Sequence, residues 1–413
     1  MTPMRRHLHR STTALVTAGT LLTATTTTVT TAAASGSVAG SVAGSSVGTP
    51  APAPGLRVAT YNASLNRAHE GDLVRDLSTP DNPQARAVAT VMRAQAPDIL
   101  VVNEFDHDPD GRALDLFRRN YLENPDLPGD PVTYPYAVSA PVNTGVDSGL
   151  DLNGDGRLHG PDDAWGFGAF PGQYGMAVFS RYPLRADDMR TFRTLRWAQV
   201  PGALLPRDFY GDTADSLRLS SKSHWDLPVD VRGRRIHLLV SHPTPPSFDG
   251  PEQRNGRRNS DEIRLTADYI RGGAAADWIV DDAGRRGGLD PDAEFIVFGD
   301  QNSDPHDGGA GFPGINQLLA VPRVHDPHPT SDGAVVAAAQ PGNAAHLNPP
   351  AEDTADFADP TPGNLRADYV LPSRGLPVRD AHVVWPAPGE PLSGLMPPEV
   401  GSDHRMVTVD LDV

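Results

Sequence analysis

Side chains with oxygen or imidazole donors recur along the sequence at the ends of short apolar runs. A single Asp or His in such a place is most often a turn or cap residue. Six clusters of the same chemical kind, each beside a strand-like run, together predict one polar centre. The clusters are Tyr61-Asn62, Asn103-Glu104, Ser241-His242, Gly299-Asp300-Gln301-Asn302, Arg366-Ala367-Asp368-Tyr369 and Gly401-Ser402-Asp403-His404.

These donors suit the hydrolysis of a phosphoester. That reaction needs an activated water, charge neutralisation at the phosphoryl oxygens and relief of negative charge at the leaving oxygen. Carboxylates, a hard divalent cation and two histidines meet those needs. Magnesium prefers one or two carboxylates with several waters, so Glu104 with Asn62 and Asp403 is an adequate protein contribution to a Mg²⁺ or Mn²⁺ centre. For His242, the alternative is a core histidine bonded to the backbone.

Alternating strand and helix patterns begin near residue 56 and position these clusters. Strand patterns at 56–61 and 98–103 flank a helix pattern at 84–94, and Pro97 marks the end of that helix. The nearly continuous apolar runs indicate strands that are covered on both faces. Further strand patterns lie at 175–180, 236–241, 295–299, 367–371 and 406–411.

Two local patterns add detail to one predicted α/β domain over residues 55–413. Asn259 with Glu262 resembles a capping box and predicts the start of a helix. The Pro/Ala/Asp-rich stretch 325–362 is predicted to be irregular. No internal repeat or domain boundary interrupts this region.

The ordered set of motifs resembles the endonuclease/exonuclease/phosphatase superfamily, in its secreted bacterial form. The resemblance covers Leu56–Val413, and its most specific pieces are Phe298–Asn302 and Gly401–His404, supported by Ala59–Asn62 and Asn103-Glu104. It implies the deoxyribonuclease I-like fold, a four-layer α/β/β/α sandwich of two mixed, mostly antiparallel sheets flanked by helices. It also implies a metal-dependent phosphoesterase.

The resemblance further assigns roles on the metal side of the site. Glu104 is expected to bind the catalytic Mg²⁺ or Mn²⁺, and Asn62 to support it. Asp403 is expected to be a further carboxylate of the metal site.

On the substrate side, the resemblance implies that Asp300 orients or deprotonates the attacking water, with Asn302 beside it. His404 is expected to contact the scissile phosphate and to be oriented by Asp368. His242 is then the second phosphate-facing histidine or a general acid. Which group protonates the leaving oxygen stays open.

A second motif, at 151–162, has the ligand spacing of a calcium loop, with Gly156 at the sharp turn in its sixth position. Position twelve is Asp instead of the usual Glu, and no paired amphipathic helices flank the loop. It therefore predicts a structural Ca²⁺ clip; the alternative is an Asp/Gly-rich turn without an ion. The predicted ligands are the side chains of Asp151, Asn153, Asp155 and Asp162 and the backbone carbonyl of Arg157.

Three arginines, Arg254, Arg257 and Arg258, follow His242 after a Pro-rich loop. In an acidic chain such a group is predicted to bind a substrate phosphate, so Arg257→Ala is expected to raise the Michaelis constant for a polyanionic substrate. The alternative is that these residues make only surface ion pairs, which contribute little.

The amino terminus has the pattern of an exported protein. Residues 1–34 carry three early arginines, an apolar Thr-rich stretch and Ala32-Ala33-Ala34, which together predict a signal peptide. Residues 35–54 read as a flexible linker. The many threonines disfavour the alternative of a retained membrane anchor. The chain contains no cysteine, so neither disulfides nor thiolate sites are available to it.

Charge bears on the choice of substrate. A net charge of −17 supplies no overall attraction for nucleic acid. The leading hypothesis is a secreted, monomeric hydrolase of a phosphorylated small molecule, a phospholipid head group or a nucleic acid, without stable membrane insertion. One alternative is an extracellular endonuclease or exonuclease on DNA or RNA. Another is a non-catalytic calcium-dependent binding protein, which the complete set of site residues disfavours.

Overall fold

The computed structural model describes residues 55–307, 311–343 and 345–413. The predicted signal peptide (1–34) and linker (35–54) lie outside the described residues. The strands are β1 (Leu56–Asn62), β2 (Ile99–Asn103), β3 (Tyr136–Ser139), β4 (Met176–Ser180), β5 (Arg190–Thr191), β6 (His224–Val231), β7 (Arg234–Ser241), β8 (Glu294–Asp300), β9 (Ala355–Asp356), β10 (Asn364–Leu365), β11 (Asp368–Pro372), β12 (Val378–Val383) and β13 (Val407–Leu411).

Short helices connect these strands, and none in the described part of the chain is both long and apolar enough to cross a membrane. The α-helices are α1 (Asp72–Leu77), α2 (Pro83–Gln95), α3 (Arg112–Phe117), α4 (Arg207–Tyr210), α5 (Arg254–Arg271), α6 (Asn316–Leu319) and α7 (Asp332–Ala337). A π-helical segment follows α3 at Arg118–Leu122, and 3₁₀ segments lie at Pro161–Asp163, Ala186–Asp188, Trp197–Gln199, Gly211–Ser216, Gly273–Ala276, Pro350–Glu352 and Ser393–Leu395.

Two mixed sheets form the centre of the fold. The order of the six-stranded sheet is β12-β13-β1-β2-β4-β3, and that of the five-stranded sheet is β11-β8-β7-β6-β5. Each sheet contains one parallel pair, β1 with β2 and β7 with β8, and the other pairs are antiparallel. Strands β9 and β10 pair separately. The predicted sandwich of two mostly antiparallel sheets is confirmed.

Apolar side chains on both faces of the strands explain the layers. In β2, Ile99 and Val101 point between the two sheets, whereas Leu100 and Val102 pack towards helices α1 to α3. In β8, Phe298 faces the other sheet and its neighbour Val297 packs in the cluster that includes α5. Because successive side chains point to opposite faces, a continuous apolar run buries both faces and gives four layers.

The register brings the polar clusters to one edge of the sandwich. Asn62 pairs with Asn103 at the carboxyl ends of β1 and β2, and Asp368 at the start of β11 pairs with Asp300 at the end of β8. Strand β13 runs antiparallel to β1 and pairs its first residue, Val407, with Thr60. The segment just before β13, which carries His404, therefore reaches the same edge.

Gly299 permits the close approach of β8 to β7 immediately before Asp300. Its φ is 129°, and a Cβ there would lie 2.0 Å from the carbonyl oxygen of Ser241. Only glycine accepts this conformation and this contact.

Two local predictions differ from the structure. Helix α5 begins at Arg254, so Asn259 is not a cap but a buried residue whose amide donates to the carbonyls of Thr244 and Gln301, both at 2.9 Å. The stretch 325–362 contains α7 and β9. The side chain of Ser331 caps α7 by accepting from the Ala334 N–H, a local signal that the Pro-rich composition obscured.

Candidate active site at the sheet edge

Asp300 lies at the centre of the site and is 1% exposed. Its Oδ2 accepts hydrogen bonds from the side-chain amides of Asn62 at 3.1 Å and Asn302 at 3.2 Å. Its Oδ1 accepts from the backbone N–H of Asn302 at 2.7 Å, and Nε2 of His242 is 3.3 Å from Oδ2. The carboxylate is therefore fixed from several directions by residues of both sheets.

Asn103 joins the two sheets beneath this carboxylate. Its Oδ1 accepts from the Asp300 N–H at 3.1 Å, and its amide donates to the Ser241 carbonyl at 3.4 Å. Asn103 belongs to β2 in the six-stranded sheet, whereas its partners end β8 and β7 in the five-stranded sheet. It thus positions Asp300 through the backbone, a role that its place in the sequence did not reveal.

A second polar row runs from His404 to Asp368. His404 Nδ1 is 2.8 Å from Asp368 Oδ2, and its Nε2 is 3.6 Å from Asp300 Oδ2. The Thr354 hydroxyl donates to the same Asp368 oxygen at 2.9 Å, and Ser402 Oγ accepts from the His404 N–H at 3.0 Å. The imidazole ring is thereby fixed between two buried carboxylates.

The charges of these three side chains affect one another's pKa values. Burial lowers the pKa of His404, but the Asp368 and Asp300 carboxylates outweigh that effect and raise it to about 10. Burial raises the pKa of Asp300, but the charge of His404 and the hydrogen bond from His242 hold it below its usual range. Burial raises the pKa of Asp368. At neutral pH the row therefore contains a protonated His404 facing an ionised Asp300.

His242 has the opposite electrostatic character. Burial and the charge of Lys222 lower its pKa, so the ring is neutral at neutral pH. Its nearest carboxylate is Asp300, and its Nδ1 is buried without a hydrogen-bond partner among the described residues. The backbone-bonded core histidine considered from the sequence is therefore not what the structure contains.

Glu104 lies beside Asp300 and is half-buried. One of its oxygens accepts from Asn62 at 3.2 Å and the other from Asn66 at 2.7 Å. Its backbone is left-handed, with φ 57°, as are those of Asn302 at 48° and Ser64 at 49°. Such backbone costs about 1–3 kcal/mol per residue and clusters at functional sites.

The donor set fits a hard divalent cation next to Glu104. Glu104 and Asp403 line one cleft, and Ser64 Oγ lies 3.5 Å from Asp403 Oδ1. Both carboxylates are only partly buried, which leaves room for the waters that Mg²⁺ retains. Within the described residues, the one tight group of three acid or imidazole donors is Asp300, Asp368 and His404. Those donors already bond to one another through a protonated ring, so Glu104 and Asp403 are the better ligands.

A cleft of about 890 Å³ lies over the site. The exposed rings of Phe167 and Phe248 line its outer part, and Asp162, Asp304 and Asp307 add acidic groups. The predicted site residues that line it are Glu104, His242, Asp300, Asn302, Asp403, His404, Arg254, Arg258 and Asp162.

Lys222 also lines this cleft, and sequence reasoning missed it. It is 6% exposed, and burial lowers its pKa, while Glu262 and Glu104 act in the opposite direction. The signal that would have identified it is scarcity, because Lys222 is the only lysine in the sequence. The Ser221 N–H donates to Glu262 at 2.7 Å and holds the segment in place.

The three arginines have different surroundings. Arg254 lines the cleft, with its guanidinium 5.4 Å from the Phe209 ring centre. Arg258 also lines it, but its guanidinium donates to the carbonyls of Leu219, Trp165 and Arg218. Arg257 is absent from the cleft lining and donates to the Glu252 carbonyl at 3.0 Å.

The predicted calcium loop closes on its own backbone. Asp151 accepts from the N–H groups of Gly154, Asp155 and Gly156, and Asn153 accepts from that of Asp155. The exposed Asp162 stands at the cleft, whereas its neighbour Asp163 is buried and accepts from Leu152 and Gly160. The carboxylates of this loop do not form a tight three-ligand group in the described structure.

A family model described as "Endonuclease/Exonuclease/phosphatase family" matches residues 59–404. A crystal structure of an endonuclease/exonuclease/phosphatase from Beutenbergia cavernae DSM 12333 is similar at 18% identity, covering 87% of this chain and 72% of that one, with a TM-score of 0.48.

Two further structures are similar at lower scores. Sphingomyelinase C from Streptomyces griseocarneus has 18% identity, with 87% of this chain and 99% of that one covered, and a TM-score of 0.44. A beta toxin variant from Staphylococcus aureus with bound magnesium ions has 13% identity, with 86% and 99% covered, and a TM-score of 0.43. No curated protein matches the chain. The matched region runs from β1 to His404 and contains all six polar clusters, and the chain belongs to the endonuclease/exonuclease/phosphatase family of metal-dependent phosphoesterases.

Proposed function

We propose that the protein is a secreted, divalent-metal-dependent hydrolase of phosphoric esters whose attacking water is held by Asp300 and Asn302. The observation that carries this proposal is the position of Asp300. Its carboxylate lies within hydrogen-bonding reach of His242 and shares the Asn62 amide with Glu104. A water, a metal ion and a phosphate can therefore be held side by side on the floor of one cleft.

Asp300 orients the water in this mechanism. Its pKa lies below the usual range, so it stays ionised and accepts a hydrogen bond from the water. A weakly basic carboxylate is a poor proton acceptor at neutral pH, so holding the water is its larger contribution. Mg²⁺ at Glu104, Asn62 and Asp403 would supply positive charge to the phosphoryl and leaving oxygens.

We propose that His404 and Lys222 bind the phosphate and that His242 orients Asp300. Protonated His404, held by Asp368, presents a fixed positive charge to a phosphoryl oxygen. Neutral His242 directs its single N–H from Nε2 towards Asp300 and so orients that carboxylate without bringing a second full charge into the buried site. Lys222 adds an ammonium group to the cleft wall. Such preorganised donors stabilise the charge that develops in the transition state.

Among the three arginines, we propose Arg254 as the one that contacts substrate. It lines the cleft, and its partner Glu252 lies 3.9 Å away, a distance that leaves the guanidinium available. Arg258 instead holds the cleft wall through three carbonyls.

A compact phosphoester, a phosphorylated small molecule or a phospholipid head group, suits the cleft better than nucleic acid. Three aspartates, Asp162, Asp304 and Asp307, line it, and the net charge is −17. These charges repel a long polyanion outside the immediate site. The alternative is cleavage of DNA or RNA, and a panel of substrates distinguishes it from cleavage of a compact phosphoester.

The experiment tests the mature protein with Mg²⁺ against plasmid DNA, RNA, inositol hexakisphosphate, sphingomyelin and a bis-aryl phosphodiester. Asp300→Ala and His404→Ala are expected to lower turnover at least ~100-fold on whichever substrate is cleaved. Controls are Asp212→Ala and His382→Ala, which alter the same residue types outside the cleft. Full turnover by both site variants would contradict the mechanism.

Export and the calcium clip are further proposals. The sequence 1–34 supports a signal peptide, and the mature protein recovered from culture medium is expected to begin at Ser35. The ligand spacing of 151–162 supports Ca²⁺ binding, which calorimetry with Asp155→Ala tests. Equal binding heat in the wild type and the variant would contradict calcium binding by this loop.

A further inference from the structure

Glu262 is a fully buried carboxylate of α5 that holds two segments of the cleft wall from behind. Its Oε1 accepts from the backbone N–H of Ser221 at 2.7 Å and from the Ser221 hydroxyl at 3.3 Å. Its Oε2 accepts from the backbone N–H of Thr244 at 2.6 Å. Ser221 and Thr244 line the cleft, whereas Glu262 itself lies outside the lining. One side chain therefore joins two separate segments of the wall.

Both segments carry groups of the proposed mechanism. Lys222 directly follows Ser221, and His242 lies shortly before Thr244. Burial lowers the pKa of Lys222, and Glu262 is the first of the carboxylates whose charge acts in the opposite direction. The carboxylate of Glu262 thus fixes the backbone next to Lys222 and also favours its charged form.

Asn259 lies three residues before Glu262 on the same face of α5 and contacts the same part of the site. Its amide donates to the carbonyls of Thr244 and Gln301, both at 2.9 Å, and to that of Asn302 at 3.3 Å. The pair that resembles a capping box in the sequence therefore holds three segments of the cleft together, through bonds to their backbone.

We propose that Glu262 is a positioning residue for phosphoester hydrolysis, which fixes Lys222 and the segment 243–244 relative to each other. Its effect on turnover rests on the proposed function, whereas its effect on phosphate binding can be measured without turnover. A carboxylate accepts from two N–H groups at once, but an amide offers one oxygen and one NH₂ group. Glu262→Gln therefore places a donor against one of the two backbone N–H groups and releases one of the two segments.

Protection of Lys222 by inorganic phosphate tests this role in the full chain with Mg²⁺. Mass spectrometry follows labelling of Lys222 by an amine-reactive reagent. Protection is the ratio of the labelling rates without and with phosphate in the same variant, so a change in the intrinsic reactivity of the amine cancels. Glu262→Gln is expected to need at least ~10-fold more phosphate for half protection, and to lower kcat/KM ~10-fold to 100-fold.

Glu262→Asp is a second variant that keeps the buried charge. Its carboxylate is one methylene shorter and cannot reach the N–H groups of both Ser221 and Thr244. It is expected to weaken the protection of Lys222 as well, which separates the effect of position from the effect of charge.

Asp261→Asn is the matched control. Asp261 is the neighbour of Glu262 in α5, is 2% exposed, and accepts from Trp197 Nε1 at 2.6 Å and from the Leu204 N–H at 2.7 Å. Neither of these partners belongs to the cleft lining. The same carboxylate-to-amide change is therefore expected to leave the protection of Lys222 and kcat/KM at wild-type values, although denaturant melts show a loss of stability like that of Glu262→Gln.

Two results would overturn the proposal: phosphate protection in both Glu262 variants equal to that in Asp261→Asn, or a wild type whose Lys222 phosphate does not protect. A wild type that is protected but cleaves no phosphoester would instead contradict the proposed function. The comparison of protection among the variants would then still decide the role of Glu262.

Discussion

Lys222 gives the catalytic cleft an amine found nowhere else in the sequence. It lies near Glu104 and Asp300, where its ammonium can meet a phosphate that also faces the metal side. A chain that otherwise uses arginine places its one lysine, a compact amine on a flexible stem, at this buried position.

We expect Lys222→Met to lower kcat/KM ~10-fold to 100-fold, because a desolvated charge next to the reacting phosphate is lost. Inorganic phosphate is expected to protect Lys222 in the wild type from an amine-reactive reagent, as followed by mass spectrometry. The α-amino group in the same sample is the control. Labelling of Lys222 that phosphate leaves unchanged would place its amine away from the substrate.

The pair of His404 and Asp368 leads to a prediction about pH. Asp368 is a main cause of the raised pKa of His404, so Asp368→Asn lowers that pKa and His404 loses its proton at lower pH. The alkaline limb of the kcat/KM profile is expected to move towards neutral pH, with ~10-fold lower activity at pH 8. Asp380→Asn, an exposed change on β12, is the control. An alkaline limb that stays in place would contradict the proposed charge on His404.

Elements determine whether these residues meet. The strand-end motifs were predictable because buried strands have strong apolar patterns and their register brings Asn62, Asp300 and Asp368 together. The positions of Lys222 and Thr354 could not be predicted, because both residues lie in loops whose positions are set by tertiary packing. Asn259 misled for a related reason, since it lies inside α5 and its amide makes a buried contact with the carbonyl of Thr244, outside that helix.

Strand β8 provides a test at the level of one element. Gly299→Ala puts a Cβ 2.0 Å from the Ser241 carbonyl at a φ of 129°, so β8 must move away from β7 and take Asp300 with it. We expect a loss of ~3 kcal/mol or more in the free energy of unfolding and little residual activity.

Gly375→Ala is the matched control, because its Cβ would meet only Glu294 at an ordinary 3.7 Å. Denaturant melts measure the stability of both variants. A Gly299→Ala protein as stable and active as Gly375→Ala would contradict the role given to this glycine.

Helix α5 separates structural from substrate-contacting arginines. Arg258→Ala leaves three carbonyls without their donor and is expected to cost ~2–3 kcal/mol of stability. Arg254→Ala is expected to leave stability nearly unchanged and to raise KM ~10-fold. Arg257→Ala, outside the cleft lining, is the control for KM. If Arg254→Ala instead lost stability and Arg258→Ala instead raised KM, the roles given to these two arginines would be reversed.

Over the whole molecule, the sandwich and the coarse activity were within reach of the sequence, whereas the substrate was not. Family motifs determine the catalytic edge, but the rings and acids of the cleft come from loops that contribute no periodic pattern.

The ion pair of Asp300 and His404 also bears on global stability. The contribution of this pair to the free energy of unfolding is greatest between the usual pKa values of Asp and His. It falls at lower pH as Asp300 gains a proton and is lost above about pH 10 as His404 releases one.

The pairing of β13 with β1 has a consequence for biosynthesis. The first strand supplies Asn62, whereas Asp403 and His404 directly precede the strand that completes its sheet. A ribosome-bound chain therefore lacks these two side chains until residue 404 has been added, and it lacks the closed sheet until β13 has been made. With the roles proposed for Asp403 and His404, a partial chain is expected not to hydrolyse phosphoesters, so the order of the residues itself delays activity until the domain has been synthesised.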